Sequence, residues 1–128
     1  MEVLTLKEIA KALNTKTDFD VQINAVCIDT RKITKGCLFI CIKGERFDAH
    51  QFANEALSLG AAAVMISEDI EVNGAFVKVE NTSKALLDLS AYYRSKFDIP
   101  VVALTGSVGK TTTKEFTYLV VNSEFNAI

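Results

Sequence analysis

The sequence predicts an α/β protein that contains parallel pairs of strands. Short apolar runs alternate with stretches of helical spacing along most of the chain, which is the pattern of strand–helix units. Of the 128 residues, 49% are hydrophobic and 23% are charged, a balance typical of a folded chain rather than a disordered one. We therefore expect a small N-terminal α/β domain over residues 1–80, followed by the beginning of a second domain over residues 81–128.

Two helices and four strands are predicted in the first domain. A helix over residues 6–13 is indicated because Thr5 precedes Glu8 at the spacing of a capping box. The apolar residues within 49–57 recur at the spacing of a helical stripe, and Gly60 follows where a C-terminal cap is expected. The strands are predicted over residues 21–28, 38–42, 62–66 and 75–79, where the sequence is apolar or alternates.

The second domain should begin with a helix over residues 83–97, which carries apolar residues on one face. A strand is predicted over residues 101–104, a run of four apolar residues. The stretch 114–121 has amphipathic helical spacing. Its apolar residues predicted to face inward are Phe116, Leu119 and Val120.

Composition argues against several classes of partner. The net charge is −2 without a basic cluster, which speaks against nucleic-acid binding. No apolar run approaches the roughly 18 residues of a membrane span, and the N-terminus lacks a basic signal-peptide start, so we expect a cytoplasmic protein without a membrane partner. Cys27, Cys37 and Cys41 lie among apolar neighbours and should be buried free thiols. His50 is the only histidine, so a Cys/His metal site is not expected.

The sharpest motif is a glycine-rich loop between the apolar run 101–104 and the amphipathic stretch 114–121, the context of a phosphate-binding loop. Glycines let backbone N–H groups turn toward an anion, and the following helix N-terminus adds donors. Lys110 would act as the catalytic charge at the β- and γ-phosphates of ATP, and the Thr111 hydroxyl would bind Mg²⁺. The general pattern has glycine where this chain has Leu104. The candidate cofactor-binding residues are Gly106, Ser107, Val108, Gly109, Lys110, Thr111 and Thr112.

The run from Thr105 to Thr112 resembles the ATP-binding loop of the Mur ligases, the amide-forming enzymes of peptidoglycan precursor synthesis. Lys114-Glu115 resembles the branch of that family that adds D-alanyl-D-alanine. The N-terminal segments that are similar to the family are Asp29-Thr30-Arg31, Gly36-Cys37-Leu38-Phe39 and Lys43-Gly44-Glu45-Arg46-Phe47-Asp48-Ala49-His50. Cys37 replaces an aspartate and Ala49 a glycine of the family pattern. The resemblance covers essentially all of the chain.

The resemblance implies a substrate domain that binds a UDP-sugar over residues 1–80 and the start of a P-loop ATP-binding domain over residues 81–128. A hydroxyl at a strand end, an aromatic face and basic side chains suit uracil and diphosphate groups. The residues that would line the uridine diphosphate site are Ile28, Thr30, Arg31, Lys43, Gly44, Glu45, Arg46 and Phe47.

Simpler interpretations stay open for the same residues. Asp29 and Arg31 could pair and fix a turn, and the loop from Lys43 to Arg46 could be a solvated charged segment. His50 could cap a helix or face solvent. A Cβ at position 49 disfavours the positive φ that the family's glycine would allow.

The implied function is the ATP-dependent joining of D-alanyl-D-alanine to UDP-N-acetylmuramoyl-tripeptide, with this chain as the front part of a longer, monomeric ligase. The 128 residues alone should be inactive and should self-associate, because the apolar faces after position 100 lack cover. Two alternatives remain. One is a Mur ligase that adds the third peptide residue, and the other is a non-catalytic module that binds a nucleotide or a UDP-sugar.

Overall fold

A parallel sheet buried on both faces is the frame of the first part of the chain. The computed structural model describes residues 1–125. The chain divides into two compact units, the first being Met1–Phe97 and the second beginning at Asp98. The strands are β1 (Leu4–Thr5), β2 (Gln22–Ile23), β3 (Ala25–Cys27), β4 (Cys37–Ile40), β5 (Ala63–Ile66) and β6 (Phe76–Lys78). The α-helices are α1 (Leu6–Ala12), α2 (Ala53–Ser58), α3 (Thr82–Ser95) and α4 (Lys110–Asn122), and two 3₁₀ helices span Thr30–Lys32 and Ala49–Phe52.

Strands β3 to β6 form the sheet in the order of the chain, and every neighbouring pair is parallel. The carboxyl ends of all four strands therefore lie at the same edge of the sheet. The segments that follow β3 and β4 carry the candidate UDP-site residues, so the topology brings the two segments side by side. Polar loops at the carboxyl edge of a parallel sheet are a common place for ligand sites.

The alternation of side chains along β4 and β5 divides the core into two layers. Leu38, Ile40 and Met65 point to one face, where they pack with apolar residues of α1 and α3. Phe39 and Val64 point to the opposite face, where α2 and the second 3₁₀ helix cover them. Full cover of both faces explains why these strands are continuous apolar runs in the sequence. The free cysteines Cys27, Cys37 and Cys41 all lie in the second layer and are buried, as expected.

The predicted strand over residues 21–28 is divided into β2 and β3, which belong to different sheets. Asn24 lies between them. Its backbone N–H donates to the carbonyl of Gly36 at 3.1 Å, and its side chain donates to the carbonyl of Lys35, also at 3.1 Å. The apolar pattern runs through this turn because Ile23 of β2 and Val26 of β3 pack in the same core layer. The predicted parallel pairing is confirmed for β4, β5 and β6, and so is the predicted helix α1, which Thr5 caps.

Helix α3 belongs to the first compact unit, which ends at Phe97, whereas the division predicted from the sequence assigns this helix to the second domain. Its Ala85 and Leu89 are buried in the same layer as α1. The hydroxyl of Tyr92 donates to the Glu8 carboxylate at 2.7 Å, and the Lys96 ammonium donates to it at 2.5 Å, which lowers the pKa of Glu8. The polar residues 80–83 thus precede a helix that packs onto the core of the first unit.

The second unit differs from the predicted one in three respects. Among the described residues, the segment 101–104 forms no strand, since no neighbouring strand pairs with it. Helix α4 begins at Lys110, before the predicted start at residue 114. The side chains predicted to face inward are exposed, with Phe116 at 66%, Leu119 at 63% and Val120 at 71%. No helix within residues 1–125 has the length and apolar character needed to cross a bilayer.

Truncating the buried Leu89 and the exposed Leu87 should show how much the buried side of α3 contributes to the stability of the first unit. Leu89→Ala should lower the free energy of unfolding by about 2–5 kcal/mol, because it leaves a cavity in a buried layer. Leu87→Ala, on the exposed side of the same helix, should change it by less than about 0.5 kcal/mol. Equal effects in urea denaturation would contradict the placement of α3 in the first unit.

The exposed apolar residues of the second unit should make the 128-residue chain self-associate. A chain ended at Phe97 should be monomeric at concentrations where residues 1–128 form larger species, because it lacks α4 and the apolar segment before it. Size-exclusion chromatography with light scattering measures both masses. A monomeric 128-residue chain would contradict the prediction.

Candidate functional site

The glycine-rich loop of the second unit has a backbone that only glycine adopts easily. Gly106 has a φ of +151° and Gly109 a φ of +78°, both in the region that L side chains rarely occupy. Gly109 is the N-cap of α4 and provides no side chain to cap the helix. The two glycines thus lead the chain directly into the first turn of α4. No side chain of the N-cap residue accepts a hydrogen bond from the backbone N–H groups of that turn.

The first turn of α4 collects the groups that an oxyanion needs. The N–H groups of the first helical residues have no partner within a helix, and the helix dipole adds a partial positive charge. The Lys110 side chain reaches back along the loop and donates to the carbonyl of Gly106. Lys110, Thr111 and Thr112 are exposed, as are Gly106, Ser107, Val108 and Gly109. The arrangement fits a chain of phosphate groups.

A magnesium ion would find one suitable ligand here. The Thr111 hydroxyl lies on the first turn of α4 beside Lys110, and Mg²⁺ is commonly held by few protein ligands together with phosphate oxygens. Within residues 1–125, no group of three or more His, Cys, Asp or Glu side chains is placed to bind a metal. The Thr111 hydroxyl fits a Mg²⁺ ion that phosphate oxygens also bind.

The segment after β3 forms a tight turn around Asp29. The Asp29 carboxylate accepts from the backbone N–H of Arg31 at 3.0 Å and from its guanidinium at 3.0 Å (Nε) and 2.7 Å (Nη2). These bonds lower the pKa of Asp29 to about 2, with the guanidinium bond the largest cause. Thr30 is half-buried within the turn, and Ile28 is 56% exposed. The pairing of Asp29 with Arg31, the simpler interpretation of this motif, is present, and it shapes the segment that presents Thr30.

The segment after β4 is a short hairpin closed by a bridge between Lys43 and Asp48. The Gly44 N–H donates to the carbonyl of Phe47 at 2.8 Å. All four residues from Gly44 to Phe47 are exposed, and the Phe47 ring stacks on Phe52 with centroids 5.5 Å apart. The hairpin thus presents an aromatic surface and an exposed backbone turn beside the Asp29 turn.

The basic residues near these turns are not equally available. The Lys43 ammonium donates to the Glu68 carboxylate at 2.7 Å, and Glu68 raises the pKa of Lys43. Arg31 is held by Asp29. Within residues 1–125, Arg46 forms no ion pair. Arg46 is therefore the basic side chain of this edge that is most available to an anionic ligand.

The sequence does not identify His50 as a site residue, and the structure places it at the base of the hairpin. It is buried, with only 3% of its side chain exposed, and neither caps a helix by its ring nor faces solvent. Its ring contacts Asp48 at 2.5 Å and the backbone N–H of Ser67 at 2.9 Å. Ala49 lies in the 3₁₀ helix, and among the described residues only Asn14 has a positive φ without being glycine, so the Cβ at position 49 is accommodated.

The fold and site define an α/β protein with polar turns at the carboxyl edge of a parallel sheet and a glycine-rich loop that leads into the start of a helix. A model of the Mur ligase family, catalytic domain, matches residues 22–101, more than half of the chain. The chain belongs to the Mur ligase family.

Individual relatives agree with this assignment. The chain is 40% identical over 126 residues to the UDP-N-acetylmuramoyl-tripeptide–D-alanyl-D-alanine ligase of Escherichia coli, covering 98% of this chain and 28% of that protein. It is 38% identical over 103 residues to the UDP-N-acetylmuramoyl-L-alanyl-D-glutamate–2,6-diaminopimelate ligase of Clostridioides difficile, covering 78% of this chain and 21% of that protein. The chain thus spans about a quarter of the length of the curated relatives that it matches.

Solved structures show the same fold. The crystal structure of MurF from Acinetobacter baumannii matches with a TM-score of 0.87 and 32% identity, over 97% of this chain and 28% of that chain. MurF ligase from Thermotoga maritima in complex with ADP matches with a TM-score of 0.70 and 33% identity, over 79% of this chain and 24% of that chain.

The Asp29 turn should lose stability at low pH in a defined window. The folded-state pKa of about 2 lies below the ordinary 3.8, so the ionised carboxyl stabilises the fold fully above pH 3.8, and this contribution disappears as the pH falls through 2. In Arg31→Gln the pKa of Asp29 should rise toward 3.8. Lys32→Gln, which removes only a minor neighbouring charge, should leave it near 2. Carboxyl ¹³C NMR titration measures both, and an unchanged value in Arg31→Gln would exclude the pairing.

Proposed function

We propose that the protein is an ATP-dependent ligase that joins D-alanyl-D-alanine to UDP-N-acetylmuramoyl-tripeptide. The observation that carries this is the glycine loop with Lys110 at the start of α4, in a chain 40% identical to a ligase of that name. The relative from Clostridioides difficile matches less of the chain and at lower identity, which favours this substrate pair over the third-residue addition. The cytoplasm is the expected location.

We assign the nucleotide to the loop of the second unit. The backbone N–H groups of Gly106, Ser107, Val108 and Gly109 and of the first turn would surround its phosphates, with Lys110 as the mobile positive charge and Thr111 as the Mg²⁺ ligand. ATP, when bound, supplies the phosphoryl group that activates the terminal carboxylate of the peptide substrate. Lys110 would leave Gly106 to offset the negative charge that develops on the transferred group. The ADP complex of the Thermotoga maritima relative supports a nucleotide in this family.

We assign the uridine diphosphate end of the other substrate to the carboxyl edge of the sheet. The Asp29 turn would present the Thr30 hydroxyl and the backbone beside Ile28, and Phe47 would offer a face for uracil. Arg46 suits the diphosphate because no acidic side chain among the described residues pairs with it. The remaining candidates, Arg31, Lys43, Gly44 and Glu45, would shape the two turns rather than supply free charge.

Lys110→Ala should strongly reduce turnover by the intact protein without unfolding it. We expect a loss of about 10²–10³-fold in kcat, the effect of removing a charge contact made in the transition state. The fold should persist because the Lys110 side chain is exposed and donates its hydrogen bond to a carbonyl of the loop itself. Phosphate release is measured with ATP, Mg²⁺, UDP-N-acetylmuramoyl-tripeptide and D-alanyl-D-alanine.

Lys114→Ala is the matched control, because Lys114 lies on the same helix, is exposed and pairs with Glu115. It should keep near-normal turnover. Near-normal turnover in Lys110→Ala would refute the loop assignment. Release that requires UDP-N-acetylmuramoyl-dipeptide and a single amino acid, in place of the tripeptide and D-alanyl-D-alanine, would instead favour the third-residue addition. Binding without any turnover would favour a non-catalytic module.

A further inference from the structure

The buried ring of His50 joins two loops of the carboxyl edge. Asp48, which closes the hairpin after β4, is one partner, and Ser67, the residue that follows β5, is the other. The ring is 3% exposed, and both of its nitrogens have a partner. With so little of its surface exposed, the ring acts mainly through these two partners, which lie at the base of the exposed turn from Gly44 to Phe47.

The hydrogen-bond pattern determines where the ring proton lies. The backbone N–H of Ser67 can only donate, so Nε2 of His50 must accept with its lone pair at 2.9 Å. The proton is therefore on Nδ1, which donates to Asp48. Asp48 also accepts from the His50 backbone N–H at 2.9 Å, and these bonds lower the pKa of Asp48, the backbone bond most strongly.

An ion pair between Lys43 and Glu68 also connects the loop after β4 with the loop after β5, and both of its side chains are about half exposed. An exposed ion pair contributes little and is screened by salt. Lys43 is also 3.9 Å from Asp48, and Cys41 experiences the Asp48 charge, so the charged and titratable groups that face the Asp48–His50 pair are Lys43, Glu68, Asp69 and Cys41. The buried His50 bonds are thus the stronger restraint on the hairpin.

We propose that His50, with Nε2 accepting from Ser67 and Nδ1 donating to Asp48, is a positioning residue that holds the Gly44–Phe47 turn in the shape that binds the uridine diphosphate end of the substrate. The inference rests on the proposed function of this edge. His50 acts only through Asp48 and Ser67, so its loss should change the affinity for the nucleotide sugar and its KM far more than kcat.

The test compares variants of the intact protein by calorimetric titration with UDP. His50→Phe fills the space without either hydrogen bond and should weaken UDP binding by about tenfold or more. His50→Gln keeps an acceptor for the Ser67 N–H and should stay within about threefold of the unaltered protein, whereas His50→Asn, which reaches only toward Asp48, should bind more weakly than Gln. The comparison of Gln with Asn remains informative where the Phe variant does not fold.

Leu89→Ala is the control for general loss of stability, since Leu89 is buried on the opposite face of the sheet. It should leave UDP affinity unchanged below its unfolding transition. The ¹⁵N spectrum should show Nδ1 protonated and Nε2 unprotonated. The reverse tautomer, unaltered binding in His50→Phe, or equal weakening in Leu89→Ala would each overturn the inference while leaving the uridine diphosphate site intact. Absence of UDP binding in the unaltered protein would refute the proposed site itself, and the inference with it.

Discussion

The hydrogen-bonded pairing of β3, β4, β5 and β6 in one parallel sheet is the constraint on which the rest of the first unit depends. Parallel pairing sends every strand end to one edge and requires a covering layer on each face. The covering layers are α1 with α3 on one side and α2 with the second 3₁₀ helix on the other. The polar turns at residues 28–32 and 43–48 are adjacent only because β3 and β4 are neighbours with matched register.

Much of this sheet could be predicted from residues that follow one another closely. The run from Leu38 to Ile40 is apolar at every position because both faces are buried, and Thr5 caps α1 through a bond that spans three residues. Asn24 shows the limit of such patterns. Its bonds to Lys35 and Gly36 turn the chain from one sheet to another, although the hydrophobic alternation continues through it. The segment 101–104 shows a second limit, since an apolar run becomes a strand only where another strand pairs with it.

The candidate site was predictable in part for the same reason. The backbone conformation of the loop could be predicted from its glycines, because few other residues adopt the φ values found at Gly106 and Gly109. The partners of Lys43 and His50 lie far along the chain, at Glu68 and Ser67. The sequence shows these residues as polar but does not show that β5 brings them to the hairpin. Long-range partners decide which basic groups are free for a ligand.

The burial of the three cysteines beneath the second 3₁₀ helix and α2 has a chemical consequence. Burial raises the pKa of the Cys41 thiol to about 12 and also raises that of Cys37. Because only the thiolate reacts readily with oxidants, electrophiles or a second thiol, the sulfurs of Cys37 and Cys41 are almost inert while the layer is closed. The rate at which an alkylating reagent modifies these thiols should therefore measure how often this layer opens. The cysteines thus serve as a built-in probe of local unfolding.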